Sequence, residues 1–403
     1  MTDLTDDGIR AALDALLERR TAHTRLSTMG AGSDDLDDGR NYLAATVSGG
    51  WHVPTWPAQY GGRDASSQEN ALIGRVLREY VVPDLYPFAI GLGMVGPALL
   101  AHGTDTQRDD WLHDIASGTE IWCQMFSEPD AGSDLANVSM RAVRDGDEWV
   151  LEGQKTWTSR AMWASWGICL ARTDPEQPKH KGLTMFFLDM KTPGVEVRPI
   201  KQINGNQDFN EVYFTDVVIP DSQRLGGEGD GWKVALVTLM NERLAVGGGL
   251  SNSVMDVFRA TQTQEYGDDL AIEDHAVRDR LADWYCRESG LKFTSYRMIT
   301  ALSRGQDPGP EASISKVVVA ANNNQSANFA LDMQDYGGIL DDDALSGFGN
   351  QFQRQFLRSP ANRIEGGSDE ILRNIIAERV LGMPADMRPD KNVPFAEIPQ
   401  GKG

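Results

Sequence analysis

The chain has 403 residues, of which 40% are hydrophobic and 8% are aromatic, and its formal net charge is -21. This length suits two or three domains, and the negative charge argues against binding to nucleic acid or to an anionic membrane surface, since both require basic patches. Cys123, Cys169 and Cys286 form no CxxC pattern, and the six histidines show no metal-ligand spacing. We therefore expect a cytoplasmic protein with no metal and no membrane segment.

Residues 1–120 have helical periodicity, interrupted by a loop rich in Trp and Gly, WHVPTWPAQYGGRDAS. The segments IRAALDALLERRTAHTRL, NALIGRVLREYVV and TQRDDWLHDIAS are predicted helices. The pattern GLGMVG at residues 91–96 fits the GxGxxG of dinucleotide-binding loops, but no predicted strand precedes it. We therefore interpret these glycines as positions where helices approach one another closely.

Residues 121–231 have the composition of a β domain. VSMRAVRDG and DEWVLEGQK predict two strands joined at a Gly-Asp turn. Further predicted strands, rich in Val, Ile and aromatic residues, are GICLARTD, LTMFFLDMK, VEVRPIKQ and NEVYFTDVVI. Helical periodicity returns over residues 232–384, and residues 385–403 form a proline-containing tail that we expect to drape over the surface or to fray. This helix–β–helix order favours a ligand cleft where sheet and helices meet.

Two segments of the β domain carry residues suited to a flat, polar ligand. SEPDAGSD, residues 127–134, places small and turn-forming residues directly after a predicted strand, where backbone N–H groups and hydroxyls can cradle a ring system or a phosphate. GQKTWTSRA, residues 153–161, places a Trp and hydroxyl residues at a strand end, and a planar side chain suits stacking on a flat cofactor. Simpler interpretations are a tight connection for the first segment and core packing of Trp157 for the second.

In this order and spacing, the two segments resemble those of the acyl-CoA dehydrogenases. GGSDEILRNIIAERVLG near the C-terminus, QDYGG at residues 334–338 and WPAQYGG at residues 56–62 are also similar to motifs of that family, so the resemblance covers about residues 51–384. It implies an α+β multidomain fold with an N-terminal α-helical domain, a middle β-barrel-like domain and a C-terminal four-helix bundle, and FAD at their junction. It further implies oxidation of an acyl-CoA to the 2,3-enoyl-CoA, with electrons passed to an electron-transfer flavoprotein.

The resemblance assigns cofactor-binding roles to residues of the middle domain. It implies that Ser127 lies near the pyrimidine side of the flavin and that Trp157 packs beside the isoalloxazine. Ser159 matches the hydroxyl residue that bonds the N5 edge, which receives hydride. Ser133 matches a position that holds FAD phosphate or substrate.

In the C-terminal domain the resemblance implies contacts to a cofactor shared between subunits. Gln334 and Gly338 match a segment that reaches the adenine half of the neighbouring subunit's FAD. Ser368 matches a hydroxyl near that cofactor. These assignments imply an oligomer.

The closing loop lacks a carboxylate where many relatives carry their catalytic base. IEGGSDEI aligns without a gap on a family stretch like IYEGTSQI, so Gly366 falls on the catalytic glutamate and Glu365 falls on the preceding Tyr. Adjacent side chains point in different directions, so Glu365 cannot simply substitute. The N–H of Gly366 is retained, and the resemblance implies that it holds the thioester oxygen.

Glu242 is the predicted base. Isovaleryl- and long-chain-like members of the family place the base on a helix in a stretch resembling LxxER, which TLMNERLAVGGG matches. On a helix Ala235, Leu239, Glu242 and Val246 share one face, and a carboxylate in an apolar stripe has the desolvation expected of a base with a raised pKa. The simpler interpretation is a glutamate that reaches solvent or pairs with an arginine. Arg243 matches a family arginine that supports this region and the substrate.

Two positions depart from the family pattern at contacts between one subunit and another's FAD. Thr263 stands where the family has an arginine that grips FAD phosphates, and Leu340 stands at the last glycine of QxxGGxG. A homo-oligomer, dimer or tetramer, and a heteromer with a related subunit therefore both stay open. Glu365 is a candidate for favouring a polar acyl group.

Two other functions stay open on the same fold. One is a flavin-dependent oxidase or monooxygenase, against which Glu242 weighs because oxygen-using relatives often lack both catalytic glutamates. The other is a catalytically silent partner subunit of a heteromeric dehydrogenase, which the missing phosphate arginine favours.

Overall fold

The computed structural model describes residues 4–21, 36–249, 254–304, 309–342 and 344–399. The chain divides into two compact units: the first contains Met1–Glu242 and Asp386–Gly403, and the second contains Arg243–Ala385. Each unit has hydrophobic cores of its own. Among the described residues, no helix combines the length and the apolar composition needed to cross a lipid bilayer.

The helical part of the first unit precedes its sheet. Its helices are α1 (Asp6–Leu13), α2 (Leu36–Val47), α3 (Ser67–Leu77), α4 (Gly96–His102) and α5 (Asp105–Ser117). A capping box of Ser66 and Glu69 satisfies the first free N–H groups of α3. A Cβ on Gly96 would overlap the ring of Trp56. A Cβ on Gly91 would lie 3.2 Å from Ile115 on α5, whereas one on Gly93 would meet nothing within 4 Å. Close packing is therefore found at Gly91 and Gly96 but not at Gly93.

The first predicted helix is wrong beyond Leu13, where α1 ends. Arg20 N–H donates to the Glu79 carbonyl at 2.9 Å and Val81 N–H donates to the Glu18 carbonyl at 2.8 Å, so that Arg19 and Tyr80 form an isolated antiparallel bridge. These tertiary contacts satisfy the backbone in an extended form and override a helical pattern. The rest of that predicted helix, from residue 22, lies outside the described residues.

Within the described residues, the strands of the first unit form one eight-stranded sheet. The strands are β1 (Trp122–Met125), β2 (Arg141–Asp145), β3 (Glu148–Ser159), β4 (Trp166–Arg172), β5 (Leu183–Asp189), β6 (Val195–Ile200), β7 (Phe209–Pro220) and β8 (Arg224–Leu225). Their order is β6-β7-β3-β2-β4-β5-β8, and β1 pairs in parallel with β4. β2 and β3 form the predicted antiparallel hairpin. β4 and β5 are buried on both faces, which explains their continuous apolar runs.

The tail returns to the first unit and lies against a loop of the sheet. Phe395 N–H donates to the Gln177 carbonyl at 2.9 Å, and Ala396 N–H donates to the Pro175 carbonyl at 2.9 Å. The ring of Phe395 lies 3.8 Å from the guanidinium carbon of Arg172. The described part of the tail therefore drapes over the surface, the first of the two expected outcomes.

Helix α6 (Gly231–Gly249) contains the boundary between the two units. The elements of the second unit are α7 (Val254–Thr261), β9 (Glu265–Tyr266), β10 (Asp269–Leu270), α8 (His275–Ser303), α9 (Ala312–Met333), α10 (Gln351–Asn362) and α11 (Asp369–Ile375). Val257, Trp284, Phe329 and Phe352 meet in its core. The predicted return to helical structure after the sheet is confirmed.

Candidate active site

The end of β3 presents a tryptophan to solvent in a strained conformation. Between Lys155 and Thr158 the strand advances three residues while β7 advances two, so the ladder contains a bulge. Trp157 has φ 56° and Arg160 has φ 58°, in the left-handed region that side-chain-bearing residues rarely adopt. The Trp157 side chain is 59% exposed. Strain of this kind is held only where the surroundings enforce it, and it clusters at ligand sites.

Arg160 anchors this strained strand end. Its Nη2 lies 2.9 Å from Asp208 Oδ1, with side-chain exposures of 2% and 7%, and its backbone N–H donates to the Asp208 carbonyl at 2.8 Å. The Arg160 guanidinium also lies over the rings of Tyr86 and Trp163. Ser159, next to it on β3, is half-buried.

The loop after β1 lies beside this strand end. Thr156 N–H donates to the Ser127 carbonyl at 2.9 Å. The structure therefore brings the segments that carry Ser127, Trp157 and Ser159 together. Ser133, further along the same loop, is exposed. Its neighbour Asp134 pairs with Lys179 at 2.8 Å.

A buried ion pair that our sequence reasoning missed braces the same loop. Lys155 Nζ donates to Glu128 Oε1 at 2.7 Å and to the carbonyls of Phe126 and Leu170 at 3.0 and 2.7 Å. Glu128 also accepts from the backbone N–H groups of Ser139 and Met140 at 2.7 and 3.0 Å. Burial alone raises the pKa of the Glu128 carboxyl, but Lys155 and these N–H groups outweigh it and leave the pKa below its usual value.

Glu242 lies on α6 in the first unit with its side chain half-buried. Gln124 on β1 places its Nε2 3.5 Å from Glu242 Oε2. On the same helix Ala235 is fully buried and Leu239 is half-buried, as the predicted stripe requires. Our sequence reasoning missed Gln124, although a lone amide inside the apolar run IWCQMF was a usable signal. The side chains of Arg243 and Val246 lie outside the described residues.

The loop from Glu365 to Ser368 lies in the second unit. Glu365 accepts from Arg358 Nη2 at 2.7 Å and from Asn362 Nδ2 at 2.7 Å. Its carboxylate is therefore engaged by its own unit, which does not favour the predicted selection of polar acyl groups. Gly366 has φ 62°, and among the described residues its N–H donates to no backbone carbonyl. Ser368 caps α11 by accepting from the Ile371 N–H.

The predicted adenine-side residues also lie in the second unit. Gln334 is buried, its Nε2 donates to the Ala330 carbonyl at 2.9 Å, and its Oε1 has no partner among the described residues. A Cβ on Gly338 would overlap the Leu331 carbonyl, so only glycine fits there. The Thr263 hydroxyl donates to the Ala260 carbonyl at 3.3 Å. Leu340 is exposed.

The arrangement matches known proteins along most of the chain. Residues 9–119, 123–217 and 229–381 match the N-terminal, middle and C-terminal domain families of the acyl-CoA dehydrogenases, in that order. The chain belongs to the acyl-CoA dehydrogenase family. This acyl-CoA dehydrogenase is therefore a flavoprotein oxidoreductase, and the fold implied by the sequence motifs is confirmed.

Two curated relatives and one solved structure show how similar this acyl-CoA dehydrogenase is to other proteins. FadE34 of Mycobacterium tuberculosis is 37% identical over 389 residues, which are 95% of this chain but only 52% of FadE34, so the chain spans about half of that relative. IpdE1 of the same organism is 36% identical over 83% of this chain and 85% of IpdE1. A structure named "Tcur3481-Tcur3483 steroid ACAD" is 28% identical, covers 94% of this chain and 97% of its own, and has a TM-score of 0.77.

The cofactor of this acyl-CoA dehydrogenase is FAD, and the residues of the first unit fit it. The indole of Trp157 meets Phe209 edge-to-face and is otherwise largely exposed, which suits stacking on a flat ring. Gln124 Oε1 and Thr158 Oγ1 are buried and have no partner among the described residues. Buried polar atoms are normally satisfied. These orphaned atoms therefore fit a polar ligand beside the strand end.

Proposed function

We propose that this chain is the base-bearing subunit of a steroid-type acyl-CoA dehydrogenase built from two different chains. It removes the α-proton and the β-hydrogen of a bulky, polycyclic acyl-CoA to give the 2,3-enoyl-CoA. The electrons pass to an electron-transfer flavoprotein. The observation that carries the proposal is Glu242, half-buried on α6 with Gln124 Nε2 3.5 Å from its carboxylate.

Glu242 is the group that takes the α-proton. The α-carbon of a thioester is a weak acid, so its base has to be partly desolvated to approach it in proton affinity. A half-buried carboxylate in an otherwise apolar stripe meets that need, and the Gln124 amide orients it. Gly366 stands where other family members carry their glutamate. Family members carry the base at one of two positions, on this helix or on the closing loop. In this chain the helix position holds Glu242 and the loop position holds Gly366.

Backbone and hydroxyl groups complete the proposed chemistry. The N–H of Gly366 stabilises the negative charge that develops on the thioester oxygen as the α-proton leaves. Ser127, Trp157 and Ser159 orient the flavin ring from the loop and the strand end that the structure brings together. FAD, when bound, supplies the acceptor for the β-hydrogen, which leaves the substrate as hydride. Ser133 is proposed to contact FAD phosphate or substrate, and Ser368 to lie near the cofactor. Gln334 and Gly338 are proposed to reach the adenine half of the neighbouring subunit's FAD, and Arg243 to support the substrate.

The substrate class rests on two supports. The proposed base lies on the helix, so the closing loop needs no glutamate and has Gly366 at that position. A glycine there leaves room for a wide acyl group. The name of the 28% identical structure describes it as a steroid enzyme. A polycyclic acyl-CoA is therefore the substrate class that we propose.

The two-chain assembly also rests on two supports. Thr263 and Leu340 replace a phosphate-binding arginine and a glycine at contacts that one subunit makes to another's cofactor, so a different chain is needed to supply them. The similar steroid enzyme is named for two chains, and FadE34 is nearly twice as long as the stretch that it shares with this chain. A second, related subunit is the partner that these observations favour.

Anaerobic bleaching of the flavin by a panel of acyl-CoAs tests the proposal. Native enzyme, purified with its companion chain, should be bleached fastest by steroid acyl-CoAs, and Glu242→Gln should retain FAD but lose bleaching. Glu273→Gln serves as the matched control, since Glu273 is an exposed glutamate with no proposed role, and it should leave the chemistry intact. Full activity in Glu242→Gln would refute the base, and rapid reaction of the reduced enzyme with oxygen would point to an oxidase.

A further inference from the structure

The loop after α10 contains two successive glycines in left-handed conformations. Gly366 has φ 62° and Gly367 has φ 98°. Paired glycines give the backbone many conformations of similar energy. An N–H donor in such a segment points in one direction only if other groups hold the peptide in place.

Side chains fix both ends of this loop but not its middle. At one end Glu365 accepts from Arg358 and from Asn362, each at 2.7 Å. At the other end Arg363 Nε donates to Asp369 Oδ2 at 2.7 Å, and Asp369 is 2% exposed. The glycine pair between them has no side chain through which it could be anchored.

Lys316 supplies the anchor from another element. It lies on α9, its side chain is 0% exposed, and its Nζ donates to the Gly367 carbonyl at 2.7 Å across 51 residues of sequence. Burying an ammonium is costly unless strong hydrogen bonds compensate it. A charge-assisted bond of this length is strong for its kind. This contact therefore holds the middle of the loop at the residue that follows Gly366.

We propose that Lys316 is a positioning residue for the reaction. By holding the Gly367 carbonyl, it restrains the glycine pair. The N–H of Gly366, one residue earlier, is thereby kept directed at the thioester oxygen. This inference rests on the proposed function, in which Gly366 is the donor.

The decisive measurement is the ionisation of a bound substrate analogue in the full-length, FAD-loaded enzyme with its companion chain. A 3-thiaacyl-CoA can lose its α-proton but cannot release hydride, and its bound anion is followed by long-wavelength flavin absorption. Lys316→Met should raise the pH midpoint of this ionisation by about one unit, a tenfold weaker stabilisation of the anion. The kcat for substrate should fall by about 10- to 100-fold, less than the loss of an oxyanion donor itself.

If Lys316 only stabilised the fold, its replacement would change the ionisation midpoint and kcat only together with FAD affinity. The FAD dissociation constant is therefore measured for the same variants and should stay native. Lys316→Arg, which keeps a positive donor, should restore part of the lost kcat. Lys292→Met on α8 is the matched control, because Lys292 is exposed, and it should behave as native.

Three results separate the possible failures. A native ionisation midpoint and a native kcat in Lys316→Met overturn the role of Lys316 alone. If Lys316→Met does not fold, Lys316→Gln is titrated instead: a raised midpoint supports the inference and a native midpoint overturns it. If the native enzyme neither ionises the analogue nor bleaches with any acyl-CoA, the proposed function fails and this inference fails with it.

Discussion

Lys155 Nζ lies 2.7 Å from Glu128 Oε1, and the two side chains are 0% and 5% exposed. The pair joins β3, which ends in Trp157 and Ser159, to the loop that begins at Ser127. Isolated charges at this depth would be costly, and each partner here also bonds to backbone groups. The ion pair therefore fixes the register between two segments proposed to hold the flavin.

Removing one partner of this pair should be far more damaging than removing both. Lys155→Met leaves the Glu128 carboxylate buried without its cation, so we expect a loss of about 3–5 kcal/mol of stability. The double variant Lys155→Met with Glu128→Gln should recover much of that loss. Denaturant unfolding followed by tryptophan fluorescence measures both. A double variant no more stable than Lys155→Met would contradict a dominant role for the uncompensated charge.

Glu128 should also make the fold sensitive to acid. Its folded-state pKa lies below the ordinary 4.5 of a free glutamate, because Lys155 and backbone N–H groups outweigh burial. The unfolded chain therefore takes up a proton at Glu128 before the folded chain does, and this contribution to stability, complete above pH 4.5, is lost as the pH falls below it. Melting temperatures measured from pH 6 to pH 3 should fall less steeply in the double variant than in the native enzyme.

Most of the fold could be predicted from the sequence, because the patterns that indicate it involve residues close together in the chain. The turn between β2 and β3, the buried runs of β4 and β5 and the glycines of GLGMVG each depend on residues adjacent in the chain. The end of α1 was missed because Arg19 meets Tyr80, and no local pattern shows that contact. Motif matching gave Glu242 as a candidate but gave neither Gln124 nor Lys316, since both act through partners far away in sequence.

Replacing Gln124 should change the pH dependence of turnover. A carboxylate that loses a hydrogen-bond donor takes up its proton at a higher pH. Gln124→Leu should therefore shift the acid limb of the kcat profile upward, with kcat near the optimum reduced by about tenfold or less, because the contact is long at 3.5 Å. Gln124→Glu should shift the same limb further through like-charge repulsion. Identical acid limbs in all three enzymes would show that Gln124 does not affect the protonation of Glu242.

The tail should protect the loop that it covers. Lys179 Nζ bonds to Asp134 at 2.8 Å and to Asp390 of the tail at 2.6 Å, and Phe395 packs over Arg172. Phe395→Ala loses that cation–π contact, worth about 0.5–2 kcal/mol. We expect faster trypsin cleavage after the exposed Lys181, read by mass spectrometry of timed digests.

The control for the tail is Glu397→Gln, an exposed position on the same segment. It should be cut at the native rate. Equal cleavage rates in Phe395→Ala and in the native enzyme would show that the tail rests on the loop without bracing it.

At Trp157, directed evolution for thermal stability alone would conflict with retention of the yellow flavin. Glycine adopts a φ of 56° freely, so exchanging the indole for hydrogen relieves a backbone penalty of about 1 kcal/mol. Because Trp157 is proposed to stack on the flavin, the same exchange should lower FAD occupancy, so variants selected only for survival on heating can lose the yellow colour of bound FAD. Directed evolution of this chain therefore has to rank yellow absorbance and survival together.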